Sequence, residues 1–425
     1  MNDLELGQFL LALVALLGAG HLGGYLFQRF GLPRVIGEIA GGIVVGNSIL
    51  GAMAPTVHAW LFQGYADAPK LFSAFYWIGL ILLMFTSGFS VEKTLEPTDR
   101  RIIITLIVGT TLFPFMAGWG LSMNLDMARH VGTAGNPVAF AFVVAVAVAV
   151  TSIPVISRIF ADLGILEHRF AKIVLSTAVA HDVILWAILS VATGLVAVGQ
   201  PTPGTILGIV AKTIVFFGVA ALAGPWLLYR LTRTRYNLIR KASPIGWVLM
   251  ICFLMAWFAT LLQVNVIFGA LLAGILFGLT GDPEIVDVKN RITDFSFAVF
   301  VPFYFAMVGF KLKFGSSFDP LFALGFILFC TICQLGATIV SAWLAKCTLR
   351  TSIDLGMAMN ARGGPGIVLA TIAFEYGIVN EDFHVTLLLL AIITSLAAGW
   401  WLRYRIAQPA PLFALRPDAT KTAGP

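Results

Sequence analysis

Thirteen stretches of this chain are apolar over the length a bilayer requires: about 7–27, 33–50, 71–90, 101–123, 138–160, 171–196, 205–230, 244–262, 264–280, 292–312, 320–345, 354–376 and 383–402. A hydrocarbon core of roughly 30 Å takes about 20 helical residues. The stretches are continuous apolar runs and lack the two-residue alternation of membrane strands, so they predict helices and not a barrel. The pattern therefore predicts an all-α integral membrane protein with about thirteen transmembrane helices. Its opening, Met1-Asn-Asp-Leu-Glu5, has no basic segment ahead of the first apolar run. That run is expected to be a retained helix and not a cleaved signal.

Composition narrows this further. The 425 residues are 59% hydrophobic and 11% charged, where soluble domains carry about 25% charged residues. The placement of charge says more than its sum of +6. With the N-terminus outside, 21 of the 27 Lys and Arg fall in the inside loops and tail, and four, Lys70, Arg129, Lys311 and Lys313, fall outside. Lys and Arg gather on the cytoplasmic side. The expected placement is multi-pass in a bacterial inner membrane, with the C-terminus cytoplasmic. Cys330-x-x-Cys333 lies within one apolar run and has no second pair, so it reads as small buried side chains and not as a metal site.

The chain also resembles itself. Gly37, Gly42 and Gly46 match Gly269, Gly274 and Gly278 in spacing. Met84–Phe89 parallels Phe305–Phe310, and Thr151-Ser-Ile-Pro154 matches the region of Arg362-Gly-Gly-Pro-Gly366 in position. These matches pair span 2 with 9, 3 with 10 and 5 with 12. An offset of seven spans reverses the direction of crossing, which gives the inverted repeat of secondary transporters. The third match interrupts both of its helices. Pro154 lacks a backbone donor and crowds the preceding turn, and the 360–366 segment carries three glycines and a proline. Broken helices at membrane depth are tolerated where they line a cavity, and their freed carbonyls and ends can hold ions.

One carboxylate stands near the middle of a span. Asp182 lies about halfway along 171–196, in Ser176-Thr-Ala-Val-Ala-His181-Asp182-Val-Ile-Leu-Trp186. A carboxylate at the bilayer centre costs at least about 2.5 kcal/mol and usually faces water, a partner or an ion path.

At these residues the chain resembles the monovalent cation:proton antiporter superfamily, in its Kef-type and NapA-type branch. Leu32-Pro-Arg-Val-Ile-Gly-Glu-Ile-Ala-Gly-Gly-Ile-Val-Val-Gly46, Gly79–Gly88, Thr151-Ser152 followed by Arg158–Leu166, Pro302–Gly309 and Arg362-Gly363 are similar to its second, third, fifth, tenth and twelfth helices. The resemblance covers nearly the whole chain. It implies a transmembrane exchanger domain over 1–403, with a first repeat at about 7–196, a linker helix at 205–230 and a second repeat at 244–402. A short cytoplasmic tail, 404–425, is expected to follow, and gating by the nucleotide-binding regulatory domain of Kef-type relatives is not expected. The resemblance also implies that the two broken helices, spans 5 and 12, cross in a mobile core. It further implies a dimerisation domain, a homodimer and elevator-type alternating access. The family's ion-binding aspartate maps to Asp182, its crossing-helix contributors to Thr151 and Ser152, and its basic residue to Arg362. Two positions depart from the family. His181 stands where the residue before the aspartate is usually Asp, Asn or Gln. Gly364-Pro365 follows Arg362-Gly363 where an acidic residue is frequent.

The chemistry needs no cofactor and no catalytic residue. Ionised Asp182 can bind a partly dehydrated Na⁺ or K⁺; protonated, it is neutral. Competition between proton and cation then couples the two fluxes. Thr151 and Ser152 offer hydroxyl and backbone oxygens to the cation, with Thr177 a weaker candidate. His181 either bonds to a broken helix or titrates beside Asp182. Arg362 is a permanent charge, read as a clamp on the broken helices, and Glu38 is read as a packing or capping group. His21 reads as structural or interfacial. The partners expected are monovalent cations, protons and the lipid bilayer, with no nucleic acid. The alternative is a sodium-coupled symporter of an organic anion, which would need a second cation site and a roomier basic pocket. An intramembrane enzyme lacks a nucleophile or metal motif beside His181 and Asp182. A channel would conduct far above carrier turnover.

Overall fold

The computed structural model describes residues 2–64, 67–89, 99–165, 168–197, 203–233, 237–262, 264, 266–280, 283–312, 318–409 and 411–415. Lys93, Arg235, Lys313, Arg416 and Lys421, counted among the loop and tail cations, lie outside these residues. The principal helices are α1 (Asp3–Arg29), α2 (Arg34–Val45), α3 (Ala68–Gly88), α4 (Arg100–Ser122), α5 (Pro137–Ala149), α6 (Ile153–Asp162), α7 (Arg169–Ala197) and α8 (Pro203–Arg233). They continue with α9 (Pro244–Leu261), α10 (Val266–Gly278), α11 (Pro283–Phe295), α12 (Val301–Lys311), α13 (Pro320–Leu344), α14 (Leu349–Met359), α15 (Gly363–Glu375) and α16 (Glu381–Ile406). A π-helical turn, Ser296–Phe300, joins α11 to α12. Extended pairing among the described residues is confined to two isolated bridges, Val131 with Val379 and Cys347 with Leu415.

Each apolar stretch read from the sequence lies largely in helix, the fifth and the twelfth each with an interruption, and among the described residues ten helical runs are long and apolar enough to cross a membrane. Three further apolar helices, Pro137–Ala149, Val266–Gly278 and Gly363–Glu375, have 13 residues each. At 1.5 Å per residue each is about 20 Å long, less than the bilayer core. Two of them adjoin the sequence's suspected interruptions. Helix α5 stops at Ala149, Val150 is extended (φ −68°, ψ 139°), and α6 begins at Ile153. Helix α14 stops at Met359 and α15 starts at Gly363.

Contacts divide the chain into two units, residues 1–92 with 210–314 and residues 93–209 with 315–425. Each unit therefore draws on both of the halves that the repeat defines. In the first unit α2 packs on α12 and α10 packs on α3, and the repeated glycines make these crossings possible. A Cβ on Gly42 would overlap the Ala306 carbonyl, and one on Gly274 would overlap the Phe85 carbonyl. Span 2 against span 10 is thus the counterpart of span 9 against span 3, as the sequence repeat requires. Near the start of α2, the Arg34 Nε donates to Glu38 Oε1 at 2.9 Å, and its Nη2 lies 2.7 Å from His21 Nδ1. His21 Nε2 lies 2.8 Å from the Ala298 carbonyl in the π turn. Because Nδ1 accepts from arginine, Nε2 carries the ring proton and donates to that carbonyl.

The second unit joins α4–α7 to α13–α16. Helix α7 packs against α4, α5 and α6, α13 against α4 and α14, and α15 against α16. Its core gathers Ile156 and Phe160 of α6, Phe170 and Val174 of α7, Leu355 and Met359 of α14, and Leu402 of α16. Part of the stretch read as tail belongs to this core. Helix α16 extends to Ile406. Beyond it, Ala414 exchanges hydrogen bonds with Thr348 (3.0 Å) and with the Thr351 hydroxyl (2.9 Å), while Phe413 lies 4.6 Å under the Arg169 guanidinium. Arg405, counted in the sequence with the loop and tail cations, is buried and paired with Asp354 of α14 at 2.6 Å.

Candidate functional site

The second unit holds Asp182, His181, Thr151, Ser152 and Arg362; Glu38 belongs to the first. The two helix interruptions face each other. Ser152 N donates to the Ala361 carbonyl at 2.7 Å, and the Thr151 hydroxyl donates to the Met359 carbonyl, also at 2.7 Å. Ser152 turns its own hydroxyl to the Val155 amide (3.3 Å), capping the first turn of α6. At the facing interruption, the Gly363 amide donates to Ser395 of α16 at 2.8 Å. Gly363 has φ +33°, and a Cβ there would run into Val155, so no other residue fits.

Arg362 is 0% exposed, and all five of its N–H groups find acceptors. Nε donates to the Ala147 carbonyl (3.1 Å), and Nη2 to the carbonyls of Val148 (2.9 Å) and Cys330 (3.2 Å). Nη1 donates to the Asn360 carbonyl (3.3 Å) and to Asn360 Oδ1. None of these acceptors is a carboxylate. Ala147 and Val148 end α5, and Asn360 caps α14, so the guanidinium meets the negative ends of two half-helices and their orphan carbonyls. The partner missing from the sequence reading is thus main chain and one amide.

His181 and Asp182 point apart, as neighbours on a helix must. His181 Nε2 lies 2.7 Å from the Thr110 hydroxyl of α4, and that hydroxyl lies 2.6 Å from the Leu106 carbonyl. A hydroxyl has one proton, which Leu106 takes, so His181 Nε2–H is the donor to Thr110. The histidine therefore bonds to α4, and no hydrogen bond joins it to a broken helix among the described residues. Asp182 is 6% exposed, and its Oδ1 is buried without a donor. No hydrogen bond links it to Thr151 or Ser152 among the described residues. Thr177 donates to the Ile173 carbonyl of its own helix (2.8 Å). Cys330 and Cys333 are free, Cys330 buried and Cys333 half-buried, and no cluster of three His, Cys, Asp or Glu fit for a metal occurs among the described residues.

A family model described as "Sodium/hydrogen exchanger, transmembrane" matches residues 12–404. The chain belongs to the sodium/hydrogen exchanger family. Among curated relatives, this family member is 24% identical to the Na(+)/H(+)-K(+) antiporter GerN of Bacillus cereus over 93% of its own length and 96% of GerN. It is 23% identical to the Na(+)/H(+) antiporter of Enterococcus hirae, covering 93% and 98% of the two chains. Cation/H(+) antiporter 15 of Arabidopsis thaliana is 23% identical, and the match spans 47% of that longer protein. The solved structure of the sodium proton antiporter MjNhaP1 from Methanocaldococcus jannaschii at pH 8 shares the fold, with a TM-score of 0.67 at 14% identity over 94% of this chain and 97% of the other.

Several residues at the site were not singled out in the sequence. Gln334 sits beside Thr151, Asn360 holds Arg362, Thr110 holds His181, and Ser395 holds the α15 amide. Gln334 had a readable signal, since it is the one amide in the apolar run 320–345. Thr110 and Ser395 had none, because a threonine or serine in a span usually bonds back to its own helix.

Proposed function

We propose that this exchanger carries Na⁺ or K⁺ against H⁺, with proton and cation competing for Asp182. The observation that carries the reading is the Asp182 carboxylate, buried in mid-span with an oxygen that receives no donor. It lies on a helix packed against both halves of a broken span. A buried carboxylate is stable when it holds a proton or a bound cation and costly when it holds neither. A carrier that crosses only when loaded thereby couples the two fluxes. Thr151 and Ser152 supply further oxygens at the crossing. Arg362 clamps the interrupted helices, His181 fixes α7 against α4, and Glu38 with Arg34 braces α2 against α1.

The names of GerN and of the Enterococcus hirae relative support cation:proton antiport, and GerN's name includes K⁺. An organic-anion symporter would need free donors for its anion. The buried cation at the crossing, Arg362, has none to spare. Two further observations support elevator-type alternating access. The contacts separate the chain into two units, and every proposed ion residue falls in one of them. The unit containing residues 1–92 and 210–314 is then the fixed, dimer-forming scaffold. The distribution of Lys and Arg supports a bacterial inner membrane location with the C-terminus inside.

The test is Asp182→Asn in purified form, reconstituted into liposomes carrying a pH dye. Exchange of every alkali cation should vanish while the protein keeps the elution volume and melting temperature of the parent. Cation-driven proton flux at the parental rate would refute the reading.

A further inference from the structure

Helix α13 carries one amide, Gln334, which is 0% exposed. Its Nε2 donates to Thr151 Oγ1 at 3.4 Å. The Thr151 proton already goes to the Met359 carbonyl, so Oγ1 can accept from the amide but cannot donate to it. That decides which end of Gln334 faces the threonine. The other end, Oε1, is buried and takes no hydrogen bond from any described residue. Withdrawing an amide oxygen from water and leaving it without a donor is destabilising, so the position calls for a ligand that the protein does not supply.

One other carboxylate or amide oxygen is in this condition among the described residues, and it is Asp182 Oδ1. Both lie in the second unit. Gln334 is also held in place from below. One helical turn earlier on α13, the Cys330 carbonyl accepts from Arg362 Nη2, which ties the register of α13 to the helix interruptions. A neutral carbonyl oxygen held beside Thr151, a residue that the proposed function gives to the cation, is the type of oxygen that replaces an alkali cation's hydration shell. The amide adds an oxygen without adding negative charge, so it strengthens cation binding without creating a second proton site.

We propose that Gln334 Oε1 is a ligand of the transported alkali cation. This rests on the antiport reading with Asp182 as the exchanging group. Gln334→Leu keeps the bulk and removes the oxygen. In proteoliposomes it should raise the apparent KM for the cation about tenfold or more, a larger change than in the maximal rate. In detergent it should abolish the rise in melting temperature that added NaCl or KCl, against choline chloride, gives the parent. Gln334→Glu retains an oxygen and should restore the cation-dependent thermal shift. If Gln334→Leu does not fold, Gln334→Met carries the same two measurements. An unchanged KM and an intact cation-dependent thermal shift overturn the role of Gln334. So does a melting temperature lowered equally with and without cation. Asp182→Asn, assayed alongside, separates the two ideas. If it exchanges normally the antiport reading fails, and if it is inactive while Gln334→Leu keeps the parental KM, only the Gln334 assignment fails.

Discussion

Arg362 and Arg405 are both buried guanidiniums, and they are satisfied in opposite ways. Arg362 has five main-chain and amide acceptors and no carboxylate. Arg405 meets Asp354 through Nε and Nη2 at 2.6–2.9 Å, with Trp401 Nε1 donating to the same carboxylate at 3.0 Å. Arg362→Ala would leave the carbonyls of Ala147, Val148 and Asn360 without donors, at a cost of about 3 kcal/mol or more. The melting temperature should therefore fall further than the cation affinity shifts, and Arg362→Lys, with three donors in place of five, should fall between. Thermal unfolding and cation titration on the same preparations check this. A large affinity shift with an unchanged melting temperature would place Arg362 in the ion path. Asp354→Asn should destabilise by about 3–5 kcal/mol, because it leaves the Arg405 charge buried and unpaired. The double variant Asp354→Leu with Arg405→Met should recover much of that loss in denaturant unfolding.

Between elements, the decisive contacts are those where backbones meet without side chains between them. At the start of α15 two adjacent glycines have different reasons to be there. Gly363 has positive φ and lies against Val155, while Gly364 has open space where its Cβ would be. Gly363→Ala should lower both exchange and melting temperature, because it pushes α15 away from α6 and strains the backbone. Gly364→Ala should be neutral or slightly stabilising, since alanine restricts the unfolded chain more than glycine does. Equal losses from the two substitutions would show that the second interruption is not packed as described. The same logic applies to α2 against α12, where Gly42→Val should prevent folding of the first unit, read as loss of the monodisperse peak after extraction.

For the whole molecule, the proposed competition at Asp182 has one carboxylate carry either a proton or a monovalent cation, one positive charge in each direction. Exchange should therefore be electroneutral. His181 lies on the Thr110 side of α7, where Nε2–H is donated and Nδ1 has no hydrogen-bond partner among the described residues, and the one-for-one scheme requires that it take up no proton in the cycle. Cation-driven proton flux, measured in liposomes clamped at zero and at a large potential, should have the same rate and endpoint. A rate or endpoint that follows the potential, or a sustained current, would show a second coupled proton. A reporter fused to the C-terminus should report the cytoplasmic side, as the distribution of Lys and Arg in the sequence predicts.

The sequence by itself determined the membrane class, the helical segments, the repeat and its glycine crossings, and the presence of one mid-span aspartate. Each of these follows from local pattern. Apolar run length sets a span, and glycine spacing marks where backbones approach. A carboxylate inside a span is conspicuous because insertion is costly. The tertiary structure alone decided who meets whom. The sequence marks Arg362 as a clamp on the broken helices but not which acceptors it meets, and nothing local tells that Arg405, at the end of the last apolar run, finds a buried aspartate. Gln334, Thr110 and Ser395 are single polar residues on long helices. Their partners lie between 32 and 183 residues away in the chain. The segment that ends at Leu415 reads as short tail because its few apolar residues have no periodicity, yet Leu412 and Phe413 pack on the core of the second unit. Hydrophobicity is written residue by residue, whereas hydrogen-bond satisfaction is a property of pairs, and the pairs exist only after the helices have crossed.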